Sequence, residues 1–338
     1  MSSIHSNATQ VFPDDPRIQY SGRIDFSNPR KPRFDWSGVS IQIRFKGPSI
    51  GFLLEDVQNR FDVWVDGKSQ TVLVSNPGQT FYPIEGLDPG EHRLQLTKRT
   101  EASWGVTTFL GLSLSDGVEL LPAPPRLERK IEFIGDSWIC GYGNEASSVH
   151  YDDLRPYENA NQTFALVTSR ELKAEAHLVC YSGRGLVRNY GDPQRQSAEP
   201  FPRLLDRRLC AEPQNLWDAA SWIPDAVVIH LGTNDFSTEP HPDFRDFVES
   251  GAALLARLRS SYPQTSIFWF APTDWPHCRQ AVEAAVETRH RAGDARIHCV
   301  GYPPVPSNQM GCDYHPNAQV HQKLATRLTQ ALRQKLSW

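Results

Sequence analysis

An excess of charge of either sign is missing from this sequence. Its 35 Lys and Arg stand against 39 Asp and Glu, a formal net charge of −4, so no basic field exists to hold nucleic acid or an anionic lipid surface. Long hydrophobic runs are missing too: no stretch of about 18 apolar residues occurs, which argues against a membrane span. The opening MSSIHSNATQ has no basic start followed by an apolar stretch, so the chain shows no secretion signal. That fits a cytoplasmic protein, and equally a mature or recloned secreted one. Cysteine is sparse and scattered, at positions 140, 180, 210, 278, 299 and 312 with no C-x-x-C pair. Neither a zinc site nor a thiol redox site is indicated, and no metal is expected. The even count permits disulfides, but the scatter and the chain length fit free, partly buried thiols at least as well. Asn7 and Asn161 begin Asn-X-Ser/Thr sequons, which matter only if a eukaryote secretes the chain. No internal repeat or low-complexity tract is present, and the oligomeric state cannot be read.

What is there changes texture near residue 122. From Tyr20 to about Leu121 the runs VSIQIRF, FDVWVDG, SQTVLV, HRLQLTKR and TTFLGLSLS alternate apolar and polar residues between turns such as KGPS and LDPGEH. Period-two spacing with turns every ~8–12 residues predicts an antiparallel sandwich or barrel. The proline-bearing LLPAPPRLER then interrupts regular structure as a linker. Beyond it strand-like runs alternate with helical ones. KIEFIGDS, AHLVCYSG, DAVVIHLGTND, SIFWFAPT and RIHCVG read as strands, and helices are expected near 164–172, 244–260 and 279–291. A last helix, entered at Pro316, carries Val320, Leu324, Leu328 and Leu332 at i+4 spacing. The pattern predicts an α/β domain whose mostly parallel sheet is covered on both faces. The expected division is a β-sandwich over 1–122 and an α/β domain over 123–338, with active groups on loops at the carboxyl ends of the strands.

Four short stretches fall at those strand ends: GDS at 135–137, SGRG at 182–185, GTND at 232–235 and CDYHPN at 312–317. Each has an ordinary reading. GDS is good turn chemistry, SGRG a flexible turn, and GTND a helix start capped by Asn234 or Asp235. Together, in this order, they supply every part of a serine esterase. Ser137 would leave its strand at a tight turn allowed by Gly135, and a serine hydroxyl needs a base to become nucleophilic. His315 is the candidate base, since Pro316 biases it away from helical geometry and so onto a loop. Pro316 itself suits a first helical position. In an extended segment Asp313, two residues earlier, would point its carboxylate to the same side and fix the imidazole. Donors for a developing oxyanion are expected from the Ser137 and Gly183 N–H groups and the Asn234 side-chain amide. His230, in an apolar strand, reads as a satisfied core histidine, and Asp136 as a turn hydrogen-bonder. His277 and His298 have no partner pattern. Tyr314 is read as a flat ring for a sugar, whereas for Trp275 that reading and core packing both stand.

The four stretches resemble the blocks of the SGNH (GDSL-type) hydrolases, named for Ser, Gly, Asn and His, here Ser137, Gly183, Asn234 and His315. IGDSWICGYGN, YSGRGLVRN, VWVDG, GEHRLQLTKRTE and FLGLSL are similar more particularly to carbohydrate esterase family 2, from about residue 18 onward. The resemblance implies a jelly-roll domain followed by a flavodoxin-like, three-layer α/β/α catalytic domain. It implies deacetylation of polysaccharides such as xylan or glucomannan, often at the sugar 6-hydroxyl, without a cofactor. Two positions depart from the pattern. Cys312 stands where the wider superfamily has Asp, three residues before His, leaving Asp313 at the shorter spacing that family 2 uses; the resemblance also implies the alternative of a Ser–His dyad, which some members of that family use. Trp138 replaces the smaller or aliphatic residue usual beside the nucleophile, and would reshape the acyl pocket or offer a stacking face to the sugar. The competing expectations are a lipase or thioesterase of the same superfamily, a sugar-binding protein with a weak catalytic half, and a deacetylase of bacterial cell-wall or exopolysaccharide.

Overall fold

A computed structural model describes residues 8–338, which form two compact units. One takes the described residues through Arg126 together with Arg208–Asn215; the other takes Leu127–Arg207 and Leu216–Trp338.

The first unit is antiparallel throughout. Along the strand Ser40–Lys46 the alternate residues Ile41, Ile43 and Phe45 are buried, and in the neighbouring Glu91–Lys98 Leu94 and Leu96 are too. This is the period-two burial of a strand with one face on a core. Both belong to a six-stranded sheet. A five-stranded sheet is built around Ile50–Glu55 and Thr107–Leu114 and contributes Phe52, Leu54, Phe109 and Leu112 to the core. Residues 208–215 join this unit through specific hydrogen bonds. The buried Asp35 carboxylate accepts the backbone N–H groups of Cys210 and Ala211, both at 3.0 Å, and the Trp36 indole donates to the Arg208 carbonyl at 3.0 Å. A boundary drawn where composition shifts does not foresee this segment, because Asp35 and Cys210 are 175 positions apart.

The second unit is a five-stranded parallel sheet in the spatial order Ala174–Cys180, Arg129–Gly135, Ala226–His230, Ser266–Pro272, Ile297–Tyr302. Numbered along the chain this is the 2-1-3-4-5 order of flavodoxin-like sheets, whose switch point lies between the first and third strands. The helices are α1 (Ser137–Cys140), α2 (Phe164–Glu171), α3 (Thr233–Phe236), α4 (Phe244–Ser261), α5 (Pro276–Arg291) and α6 (Ala318–Leu336). On one face Ile131, Phe133, Val228 and Phe270 cluster with Phe164 of α2 and Leu324 and Leu328 of α6. On the other, α4 approaches so closely at Gly251 that a Cβ there would stand 2.8 Å from that of Ala285 in α5 and 3.2 Å from the Trp269 ring. The α/β expectation and its two covered faces hold, because strands buried on both sides need apolar residues at consecutive positions.

Some local expectations shift. Pro316 is not the first helical residue: α6 starts at Ala318, and Asn317 caps it by accepting the Val320 N–H at 3.1 Å. No disulfide joins any of the six cysteines, all of which lie among the described residues. Asn161 is 2% exposed, so that sequon is buried, while Asn7 lies outside the described residues. Among the described residues no helix is long and apolar enough to cross a membrane, and no three His, Cys, Asp or Glu side chains group as metal ligands would.

Candidate active site

The site starts where the first parallel strand ends. Gly135 is required there because a Cβ would fall 2.3 Å from the His230 carbonyl oxygen. Asp136 follows in extended geometry and accepts the Trp138 N–H, turning the chain into α1 so that Ser137 is its first residue. The Ser137 Oγ lies 2.7 Å from His315 Nε2. His315 Nδ1 lies 3.0 Å from the Asp313 carbonyl oxygen and 3.2 Å from that of Cys312. Both of these partners only accept, so the proton sits on Nδ1 and Nε2 faces the serine hydroxyl with its lone pair. Burial pushes the His315 pKa below its ordinary 6.5, with the Asp136 charge, the two carbonyls and, least, the Asp313 charge opposing. The imidazole is therefore held neutral.

Asp313 corrects the expectation placed on it. Its backbone is left-handed, with φ +46° and ψ +42°, and Tyr314 follows at φ +58°. Such geometry costs about 1–2 kcal/mol per non-glycine residue, with Asp among the more tolerant. The rule that residues two apart share a side applies to extended chain and fails here. The turn aims the Asp313 carbonyl at the imidazole, and the carboxylate Oδ2 instead accepts from the Tyr142 hydroxyl at 2.8 Å.

Of the remaining predicted groups, Asn234 and Gly183 make hydrogen bonds to neighbouring loop residues. Asn234, second in α3, donates from Nδ2 to the Arg184 carbonyl at 3.0 Å and to Asp136 Oδ2 at 3.4 Å. Gly183 has φ +76° with open space where a Cβ would be, so glycine there serves backbone conformation, not close packing. Its carbonyl accepts the Tyr190 N–H at 2.8 Å. Trp138 is half-buried, stacked on His230 at 5.0 Å and 21° and tilted against Tyr302 at 5.6 Å. Trp275 is half-buried just before α5, and Tyr314 is 69% exposed beside His315. A cleft of about 470 Å³ is lined by His150, Tyr151, Asp152 and Asp313.

Two buried carboxylates were underrated by sequence reasoning. Asp136 makes its turn hydrogen bond, but it also accepts from His230 Nδ1 at 3.0 Å and from the Thr233 hydroxyl at 2.6 Å. Burial alone would raise its pKa; the His230 charge and these donors prevail and hold it below the ordinary carboxylate value. His230 is satisfied as expected, its Nε2 lying 3.0 Å from the Tyr302 hydroxyl. Asp235 accepts three successive backbone N–H groups, from Leu186, Val187 and Arg188 at 2.7–2.9 Å. Burial pushes its pKa up to about 6 while those donors pull the other way. The signal was present in GTND, but an acidic residue at a helix start has so common a capping role that nothing local marked this one. Tyr190 stands 63% exposed on the same loop as Gly183.

Comparison with known proteins agrees with this anatomy. The family model Carbohydrate esterase 2 N-terminal matches residues 20–124, and the GDSL-like Lipase/Acylhydrolase family model matches residues 133–323. Cellulase/esterase CelE of Acetivibrio thermocellus is 38% identical over 96% of this chain, which spans 40% of that protein's length. An acetylxylan esterase / glucomannan deacetylase of Cellvibrio japonicus is 30% identical over 94% of this chain and 91% of its own. Among solved structures, a family two carbohydrate esterase from Clostridium thermocellum in complex with cellohexaose superposes with a TM-score of 0.88 at 37% identity, covering 95% of this chain and 99% of that one. With a Ser–His pair at the sheet's switch point and these matches along nearly its whole length, the chain belongs to the GDSL-like hydrolases, within carbohydrate esterase family 2.

Proposed function

We propose that this protein is a serine esterase that removes acetyl groups from the hydroxyls of a poly- or oligosaccharide such as xylan or glucomannan. The observation that carries the reading is the 2.7 Å contact of Ser137 Oγ with an imidazole whose other nitrogen is held by two carbonyls. A neutral Nε2 accepts the hydroxyl proton as Oγ attacks the ester carbonyl. Negative charge then develops on the carbonyl oxygen, and the donors assigned to it are the Ser137 and Gly183 N–H groups and the Asn234 amide, which exchanges its long 3.4 Å contact with Asp136 for the oxyanion. The imidazolium returns its proton to the departing sugar oxygen, leaving an acetyl group on Ser137. Water, deprotonated by the same histidine, attacks that ester, and acetate leaves with the serine restored. Every step is a proton transfer or an acyl transfer, and the residues named here supply both.

The carbohydrate side of the proposal rests on the family and on rings placed by the site. Tyr314 and Tyr190 offer exposed faces on the loops bearing His315 and Gly183. Trp138 and Trp275 are assigned subsidiary roles, shaping the acyl end and the sugar end respectively. The test is to incubate the enzyme with acetylated xylan, acetylated glucomannan and 6-O-acetyl glucose and follow acetate by NMR. Acetate release from at least one, abolished by at least about 10³-fold in Ser137→Ala, is the expected result. Release from none, or p-nitrophenyl ester activity peaking at butyrate or longer chains, would overturn the acetyl-carbohydrate assignment in favour of a lipase or thioesterase.

A further inference from the structure

Tyr142 is not part of the mechanism above, yet it touches both ends of the turn that holds the base. It lies just beyond α1, its N–H donating to the Ser137 carbonyl at 3.1 Å. Its hydroxyl donates to Asp313 Oδ2 at 2.8 Å, and its ring packs on the His315 ring at 4.5 Å between centroids. The turn it reaches has two consecutive non-glycine residues in the left-handed region, Asp313 and Tyr314. Other anchors hold the base of that turn. The Cys312 N–H donates to the Gly143 carbonyl at 3.2 Å, and the Asp313 N–H to that of Val149 at 2.9 Å. The only acid at the family's short spacing thus spends its carboxylate on a tyrosine while its backbone oxygen faces Nδ1.

We propose that Tyr142 and Asp313 form a clasp that positions His315. The tyrosine hydroxyl pins the Asp313 side chain, the pinned residue keeps its left-handed backbone, and that backbone presents two carbonyl oxygens to Nδ1 while the tyrosine ring backs the imidazole. Asp313 is then a positioning residue acting through its main chain, not a carboxylate partner of the imidazolium. The proposal rests on the reading of His315 as the general base.

The two accounts of Asp313 differ in what asparagine does. Asparagine tolerates the left-handed region and offers an oxygen to the Tyr142 hydroxyl, so the clasp survives it; a carboxylate that must stabilise an imidazolium does not, at a loss of about 10⁴ in kcat where such a role is established. The experiment measures kcat and KM for p-nitrophenyl acetate in wild type, Ser137→Ala, Tyr142→Phe, Asp313→Ala, Asp313→Asn and the Tyr142→Phe/Asp313→Ala pair, with thermal unfolding to confirm folding. Expected are losses of about 10- to 100-fold in kcat for Tyr142→Phe and Asp313→Ala, as a displaced catalytic group gives. KM should change little, and the double variant should be no worse than the poorer single one. Asp313→Asn should recover most of what Asp313→Ala loses. A loss near 10³–10⁴ in folded Asp313→Asn, multiplying losses in the pair, or an unimpaired Tyr142→Phe would each overturn the clasp while leaving the esterase reading intact. A Ser137→Ala variant as active as wild type would remove the underlying reading and the clasp with it.

Discussion

His321 sits within α6 at 1% exposure, its Nδ1 accepting the Phe164 N–H at 3.2 Å and its ring stacked on that of Phe164. Burial first, then the nearby His230 and His315, push its pKa down to about 3. A histidine depressed in the folded state favours folding fully above its unfolded value of 6.5. That contribution is lost as pH falls from there toward 3, because the unfolded chain binds the proton first, at a limiting slope of roughly 1.4 kcal/mol per pH unit. His321→Asn, which keeps an acceptor for the Phe164 N–H but cannot titrate, should lose stability more gently than wild type between about pH 6 and 4. Urea midpoints at several pH values measure this, and parallel slopes for the two proteins would contradict it. The neighbouring His315 gives the corresponding expectation for catalysis. It must be neutral to accept the serine proton, and burial depresses it, so the acid limb of kcat/KM should have its midpoint below 6.5. These two histidines also show what single residues disclose. The placement of His315 on a loop before the last helix was legible in CDYHPN; the state of His321 was not, since one polar residue on an apolar helix face carries no mark of its protonation. The direction of the Asp313 carboxylate was not legible, because its backbone is left-handed and the turn around it bonds to Tyr142, Gly143 and Val149, far away in the chain.

The loop from Gly183 to Asp192 shows how one side chain organises an element that has no regular structure. Asp235, 0% exposed in α3, gathers three consecutive N–H groups, and a Cβ on Gly185 would stand 2.6 Å from its Oδ2. The Arg188 guanidinium is buried in turn among the carbonyls of Asp192, Gln194 and Thr238. The same loop supplies Gly183 and receives the Asn234 amide at the Arg184 carbonyl. Asp235→Asn keeps the shape but turns an acceptor into a donor facing N–H groups. A stranded buried group costs about 1–3 kcal/mol, and the groups assigned to the oxyanion would lose their alignment. The expected result is a fall of about 10²-fold in kcat for p-nitrophenyl acetate, with faster amide exchange over 185–190 and unchanged exchange in α6. Wild-type kcat with wild-type exchange would show that the loop holds itself. The regular elements were easier to read. α4 and α5 follow from apolar spacing near 244–260 and 279–291, and the parallel strands from runs such as AVVIH. A carboxylate cradle leaves no periodicity to find.

Across the whole molecule, the two textures of the sequence were legible because period-two alternation and strand–helix alternation are long-range patterns that no single contact decides. The chain's excursion at 208–215 was not, because it is held by side-chain contacts to residues far away in the chain, the buried Asp35 chief among them. Asp35 is 0% exposed, and a buried carboxylate requires donors. It takes them from Cys210 and Ala211, while Arg33 bonds to both Asp25 and Glu212 at 2.6 Å. Cooperative units of a protein open together and can be told apart by amide exchange. Residues 208–215 should therefore exchange with the protection of the antiparallel unit, although they are flanked on both sides by chain belonging to the α/β unit. In Asp35→Ala the N–H groups of buried Cys210 and of Ala211 lose their acceptor, at about 1–3 kcal/mol for the buried one. Protection at 210 and 211 should collapse, and the antiparallel strands should exchange faster, while the parallel strands at 129–135 and 226–230 keep wild-type rates. Hydrogen–deuterium exchange followed by mass spectrometry resolves these peptides in the intact chain. If 208–215 instead tracked the parallel strands, or Asp35→Ala left 210 and 211 as protected as before, the segment would owe its order to the unit that surrounds it in sequence and not to Asp35.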